Sequence, residues 1–149
     1  MKFSPRRGFT LIEVLLVVVI IAILAGIVII AVNPARQIAQ TNNAQRDSDV
    51  RAMIDAVHQY SIDNRGVLPT EIPDTAAAAV VGSAVGQVDI CSYLVPTYVA
   101  EMPYDPTATG AHFTSCADYD TGYTISTDTD GRVTVSAVGE LSEVISVTR

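Results

Sequence analysis

Three groups of residues in this chain are of types that could do chemistry. The first is Glu13, which stands in an apolar run: of the 24 residues from Phe9 to Val32, only Thr10 and Glu13 carry polar side chains. A carboxylate within a membrane-spanning segment costs on the order of 2.5–3.5 kcal/mol on insertion scales, so it normally has a partner. The natural complement is an ammonium on another chain, because each charge alone is penalised in lipid while the pair is neutral. A charge tolerated near the membrane edge is the plainer alternative. The second group is Cys91 and Cys116, the two cysteines of the chain. Thiols outside the cytoplasm oxidise, and a bridge would close a loop with 24 residues between them, contributing roughly 3 kcal/mol in the chain-entropy model. With His112 they are too few, and wrongly spaced, for a zinc site. The third group is Asp118, Asp120, Asp128 and Asp130. Calcium takes about six to eight oxygen ligands of this kind, but the spacing matches no EF-hand loop, and aspartates that bond their own turns explain it more simply. No phosphate loop, HExxH or nucleophile elbow occurs. His58 reads as a surface or core-rim residue, and no spacing sets either histidine beside a nucleophile. The chain is expected to have no catalytic residue, no cofactor and no metal.

The elements that carry these residues follow from patterning. The apolar run is long enough for a membrane-spanning helix of roughly 36 Å at 1.5 Å per residue. Lys2, Arg6 and Arg7 precede it, and a basic flank sets a cytoplasmic N-terminus. The small residue that marks a processing site, Gly8, stands before the run, whereas signal peptidase cuts after one.

Arg6-Arg7-Gly8-Phe9-Thr10-Leu11-Ile12-Glu13 resembles the processing site of type IV prepilins, a superfamily that includes the pseudopilins of type II secretion and of competence. The resemblance implies that a prepilin peptidase cuts between Gly8 and Phe9 and that the new amine of Phe9 is N-methylated. It also implies that Glu13 pairs with the Phe9 amine of a neighbouring copy as the subunit enters a helical filament. The implied fold is α+β, the pilin fold: a long N-terminal helix, transmembrane in its first half and amphipathic in its second, packed on a small antiparallel sheet. The expected divisions are a leader over 1–8, a transmembrane and filament-core helix over 9–32, an amphipathic helix over 33–66 and a globular head over 67–149.

Along the rest of the chain, Asn33 is a good N-cap and Pro34 suits a first helical position. A bend or local opening is therefore expected between Gly26 and Pro34, where pilins also carry a helix-weakening proline. Val50, Met53, Ile54, Val57, Tyr60 and Ser61 recur at helical spacing and form one apolar stripe. Gln37–Ser48 is polar enough that it should face water or other subunits and not a sheet. Gly66 and Pro69 should end the helix, with Arg65 in its last turn. Thr75–Gln87 reads equally as a short buried helix or an irregular loop, and corresponds to the variable αβ-loop of the resembling family, about 67–90. Pro103-Tyr104-Asp105-Pro106 should form an Asx turn; Pro-x-Asp-Pro is common in pilins just before the sheet. Gly122–Ser126 and Arg132–Ser136 alternate as strands around an Asp-Gly turn, with a third strand over Glu143–Val147 and the sheet over about 120–149.

Removing Lys2, Arg6 and Arg7 leaves 6 basic against 16 acidic residues, a mature charge near −10, which does not indicate nucleic-acid binding by a single subunit. Major secretion pseudopilins usually follow Asp-Pro with tryptophan and glycine. This chain has Thr107-Ala108 and no tryptophan, and together with the long uncharged loop this favours a type IV pilus subunit (for adhesion, motility or DNA uptake) over a type II secretion pseudopilin. The expected partners are further copies of itself, the prepilin peptidase, the inner-membrane assembly platform and, before assembly, the membrane. The expected location is the inner membrane with the C-terminal domain exported, then a cell-surface pilus. Some pseudopilins bind calcium in the region of the four aspartates. A membrane-anchored enzyme or binding domain with a coincidental leader is the distant third reading.

Overall fold

A computed structural model describes residues 8–73 and 77–149. The chain divides into two compact units, one ending at Gln37 and the other beginning at Ile38.

In the first unit α1 covers Leu11–Ala31, about 32 Å at 1.5 Å per residue. Thr10 is its N-cap, with extended backbone and a side chain that accepts from the Glu13 N–H. Helical geometry is lost at Val32, whose φ and ψ are −99° and 116°. It resumes at Pro34, the first residue of α2 (Pro34–Asp63), where Asn33 Oδ1 accepts from the Arg36 N–H at 3.2 Å. The interruption thus falls at the proline end of the Gly26–Pro34 interval, while Gly26 itself stays helical.

In the second unit the remainder of α2 packs on a five-stranded antiparallel sheet. Val50, Met53, Ile54 and Val57 are buried and share one core with Tyr123, Ile125, Val133 and Val135 from the sheet, as the helical and alternating patterns require. The strands are β1 (Ala79–Gly82), β2 (His112–Ser115), β3 (Asp118–Thr127), β4 (Val133–Val138) and β5 (Val144–Thr148), with one helical turn, α3 (Cys91–Leu94), between β1 and β2. The order is β1-β3-β4-β5. Thr124 pairs with both Val80 and Ser136, and Asp120 with both Gly82 and His112. Hence β2 and β4 share one edge of β3 and β1 takes the other. The β3–β4 hairpin turns at Asp128–Arg132, with Gly131 at φ +79°.

Three expectations are corrected. Residues 79–82, read as helix or loop, form a strand, because β3 pairs with Ala79, Val80 and Gly82 and the Thr121 hydroxyl donates to the Val81 carbonyl. The sheet accordingly reaches well before residue 120. The α2 terminus also differs: the helix stops at Asp63, and Arg65, expected in its last turn, lies beyond it at φ +59°. The Gly66 N–H bonds the Ser61 carbonyl and the Arg65 N–H the Ile62 carbonyl, the pattern that ordinarily puts glycine where Arg65 stands.

An L-residue in the left-handed region is strained relative to glycine. Arg65→Gly is therefore expected to stabilise the protein by about 0.5–1 kcal/mol, read as a higher urea midpoint at unchanged slope for the full chain in detergent. A lower midpoint would show that Arg65 supplies more than the turn.

Candidate functional site

The N-terminal segment presents its functional groups openly. Every side chain described on α1 is exposed within the subunit, including Leu11, Val14 and Val18. A helix apolar on all sides is stable only inside a membrane or a packed bundle, and Leu11–Ile29 is long and apolar enough to cross a bilayer. Phe9 is 83% exposed, two residues ahead of α1. Thr10 and Glu13 have the spacing of a capping box, in which the acid would reach back to the cap's own N–H. The Thr10 side chain does its part. The Glu13 carboxylate makes no hydrogen bond or ion pair among the described residues and stays available to a group outside the subunit.

The head holds a second constellation, which sequence reading missed. Arg46, on the polar stretch of α2, is 2% exposed. Its Nε donates to Asp105 Oδ2 at 2.7 Å and its Nη2 to Asp105 Oδ1 at 3.0 Å. Nη1 donates to Asn43 Oδ1 at 2.8 Å, and Nη2 also reaches the Thr107 hydroxyl. The bidentate fork matches the planar carboxylate. Asp105 lies in the Pro103–Pro106 turn and makes the expected Asx bonds, accepting the Thr107 and Ala108 N–H groups at 2.8 and 3.0 Å. Its own N–H bonds the Thr121 carbonyl, and Gly122 opposite, at φ +71°, sits close against the turn: an added Cβ would lie 3.3 Å from Asp105 Cβ and 3.1 Å from Ala108 Cβ, a tight fit. Burial pushes the Asp105 carboxyl up, but Arg46 and the two turn N–H groups outweigh it and hold it below the ordinary range. One turn along, Asp49 accepts from the Tyr123 hydroxyl at 2.8 Å and from Gln45. Burial raises its pKa against those two bonds. On the other flank Asn43 donates to the Glu140 carbonyl and to Glu143 and accepts the Glu140 N–H, tying α2 to the β4–β5 turn.

The expectation that Gln37–Ser48 faces water or other subunits is therefore wrong for Asn43 and Arg46, and the neighbouring Asp49 is buried with them. Each is buried because the turn at 105–107, the turn at 140–143 or β3 supplies a complementary group. The signal was present in the Asn43, Arg46 and Asp49 spacing, which puts all three on one helix face, but their partners lie up to 100 residues away.

Of the other candidates, Cys91 and Cys116 are bonded to each other, joining α3 to the turn before β3. Tyr119 supports the same corner: its hydroxyl accepts the Ile90 and Cys91 N–H groups and donates to Asp89. The four aspartates do not converge. Asp118 and Asp120 stand at the start of β3 and Asp128 and Asp130 beyond its end, about 33 Å apart along ten extended residues. Asp118 faces His112, Asp120 takes Gln87 and the Gly122 N–H, and Asp128 and Asp130 share Arg132. No group of three or more potential ligands forms a metal site among the described residues. His58 is half-buried at the core rim, with Nε2 shut from solvent. Residues 74–76, part of the αβ-loop, lie outside the described residues.

The comparisons decide the family. The family described as "Prokaryotic N-terminal methylation motif" matches residues 3–29. Type II secretion system core protein G of Aeromonas hydrophila is 32% identical over 106 residues, 71% of this chain and 71% of its own length. The chain belongs to the type IV pilin and pseudopilin superfamily, in the family of type II secretion system core protein G. The proteins of that name from Pectobacterium carotovorum and Pseudomonas aeruginosa are each 30% identical, over 104 and 106 residues, 70% and 71% of this chain. The chain spans 64% of the length of the first and 71% of the second. No solved structure matches. These relatives support a pilin-like subunit and turn the preference for a pilus toward the pseudopilin side. After Asp105-Pro106 the chain has Thr107 in place of tryptophan, bonding Arg46 through its hydroxyl and Asp105 through its N–H.

Removing one partner of a buried ion pair strands the other. Arg46→Met is expected to cost about 3–5 kcal/mol. Because the folded Asp105 carboxyl is held below its unfolded value, the pair's contribution is complete above about pH 4 and is lost as the pH falls through the lowered folded value. The deficit of Arg46→Met, measured by urea unfolding against pH, should therefore be full at pH 5–7 and shrink below 4. A deficit that grows on acidification would contradict the assignment.

Proposed function

We propose that this chain is the filament subunit of a type II secretion pseudopilus, the short fibre that moves folded substrates outward. The observation that carries the reading is the likeness to three type II secretion core G proteins over about 70% of the chain. The subunit's own chemistry supports it. An all-apolar α1 needs a lipid or bundle environment, and the unpartnered Glu13 needs a cation there. In this account the chain is anchored in the inner membrane by α1 with its head exported. The prepilin peptidase cuts between Gly8 and Phe9, and the Phe9 amine is methylated. Once in the bundle, Glu13 of one copy takes the Phe9 amine of its neighbour, which sets register between copies more than it adds net stability. The role is structural: the subunit performs no reaction, and chemistry is done on it. The Cys91–Cys116 bridge suits an oxidising compartment.

Deleting the chain from its own cell should abolish secretion of folded exoproteins and leave surface pili in place. Loss of pili with secretion intact would restore the pilus reading. Glu13→Ala should still lose its leader, giving a mature chain that begins at methylated Phe9 by mass spectrometry, yet assemble no filament. Normal fibres from that variant, or a retained leader in the wild type, would contradict the mechanism.

A further inference from the structure

Most charged side chains among the described residues have a partner within the subunit. Among the described residues Arg46, Arg51, Arg132 and Arg149 are paired with carboxylates. Asp47, Asp49, Asp55, Asp63, Glu71, Asp89, Asp105, Asp118, Asp120, Asp128, Asp130, Glu140 and Glu143 each bond a cation, hydroxyl, amide or imidazole. Two acidic side chains, Glu13 and Glu101, and two arginine side chains, Arg36 and Arg65, make no hydrogen bond or ion pair there.

Glu13 already has its proposed use at a neighbour's amine, which leaves Glu101 and the two arginines. Arg65 follows the C-terminus of α2, where the helix dipole favours a cation. Arg36 has no such account. It occupies the third position of α2, its N–H held by the Asn33 cap, in the first turn, where the dipole disfavours a cation and the chain supplies no acid. Glu101 is exposed on the rim of an open groove of about 700 Å³ between α2 and residues 99–106, lined by Thr41, Gln45, Ala52, Met102 and Pro103. Asp49 also lines it, its carboxylate taken up by Tyr123 and Gln45. Mature copies near −10 repel one another when packed, so their free cations are best placed at contacts between copies.

We infer that Glu101 of one copy pairs with Arg36 of an adjacent copy, seating the first turn of its α2 at the mouth of this groove. The inference rests on the filament reading above and adds a second contact between copies, in the exported part of the molecule, to the one at Glu13. An anionic lipid headgroup is the competing occupant for Arg36, because α1 ends five residues earlier.

The test is a charge swap in the full chain, in cells, with leader removal and membrane level followed as controls for folding. Wild-type filaments must be present; their absence would sink the filament reading itself. Given them, Arg36→Glu and Glu101→Arg should each lower filament yield roughly tenfold, and the double variant should restore it to within about twofold of wild type. Arg36→Cys with Glu101→Cys should give a ladder of disulfide-linked multimers from sheared filaments, absent from either single variant in mixed assembly with wild type. Unchanged filaments in both single swaps would overturn the pairing. So would a defect in Arg36→Glu alone that Glu101→Arg does not rescue, which would assign Arg36 to phosphate headgroups.

Discussion

The constraint on which everything else depends is the solvation of α1. From Leu11 to Ile29 the helix offers water, apart from Glu13, little but hydrocarbon, and at ~25 cal/mol per Å² of exposed apolar surface it cannot stand free. It has two stable environments, lipid and a bundle of its own kind, and the passage from one to the other is the work assigned to the subunit. In the proposed assembly one carboxylate at position 13 discriminates between them: in lipid it is a penalty, and in a bundle where a neighbour brings an amine it becomes a match.

The head answers a different demand. It must hold firmly to a helix whose lower half carries few apolar side chains, and it does so by two means. Above Asp49, ordinary packing of Val50, Met53, Ile54 and Val57 on β3 and β4 suffices. Below, the grip is polar: Arg46 clasps the Asp105 turn and Asn43 clasps the Glu140–Glu143 turn. Buried ion pairs are seldom net stabilising against an apolar core of the same shape, so their value here is geometric. They fix where two turns sit along the helix, and the first of them lines the groove beside which Glu101 is exposed.

How much of this was legible in the sequence depends on the range of the interactions involved. The membrane run, the Asn33 cap, the apolar stripe of α2 and the Asp-Gly hairpin were readable because each depends on residues within a turn or two of one another. The Asp105 turn was readable for the same reason, but its role was not, because Arg46 lies 59 positions away. Asn43 and Arg46 looked like a wet surface because polarity alone does not say whether a complementary group will come to meet it. The strand at Ala79–Gly82 was hidden by small side chains that give little periodic signal, its pairing being supplied by β3's backbone. The four aspartates misled in the opposite sense: closeness along an extended strand is distance in space.

A reconstruction of the assembled filament at side-chain resolution tests the central claim most directly. It should show α1 of every copy inside the fibre, out of contact with solvent, with the Glu13 carboxylate within hydrogen-bonding distance of the Phe9 amine of an adjacent copy. A fibre whose subunits meet through their heads while α1 lies outside it, or in which Glu13 faces water, would contradict the account.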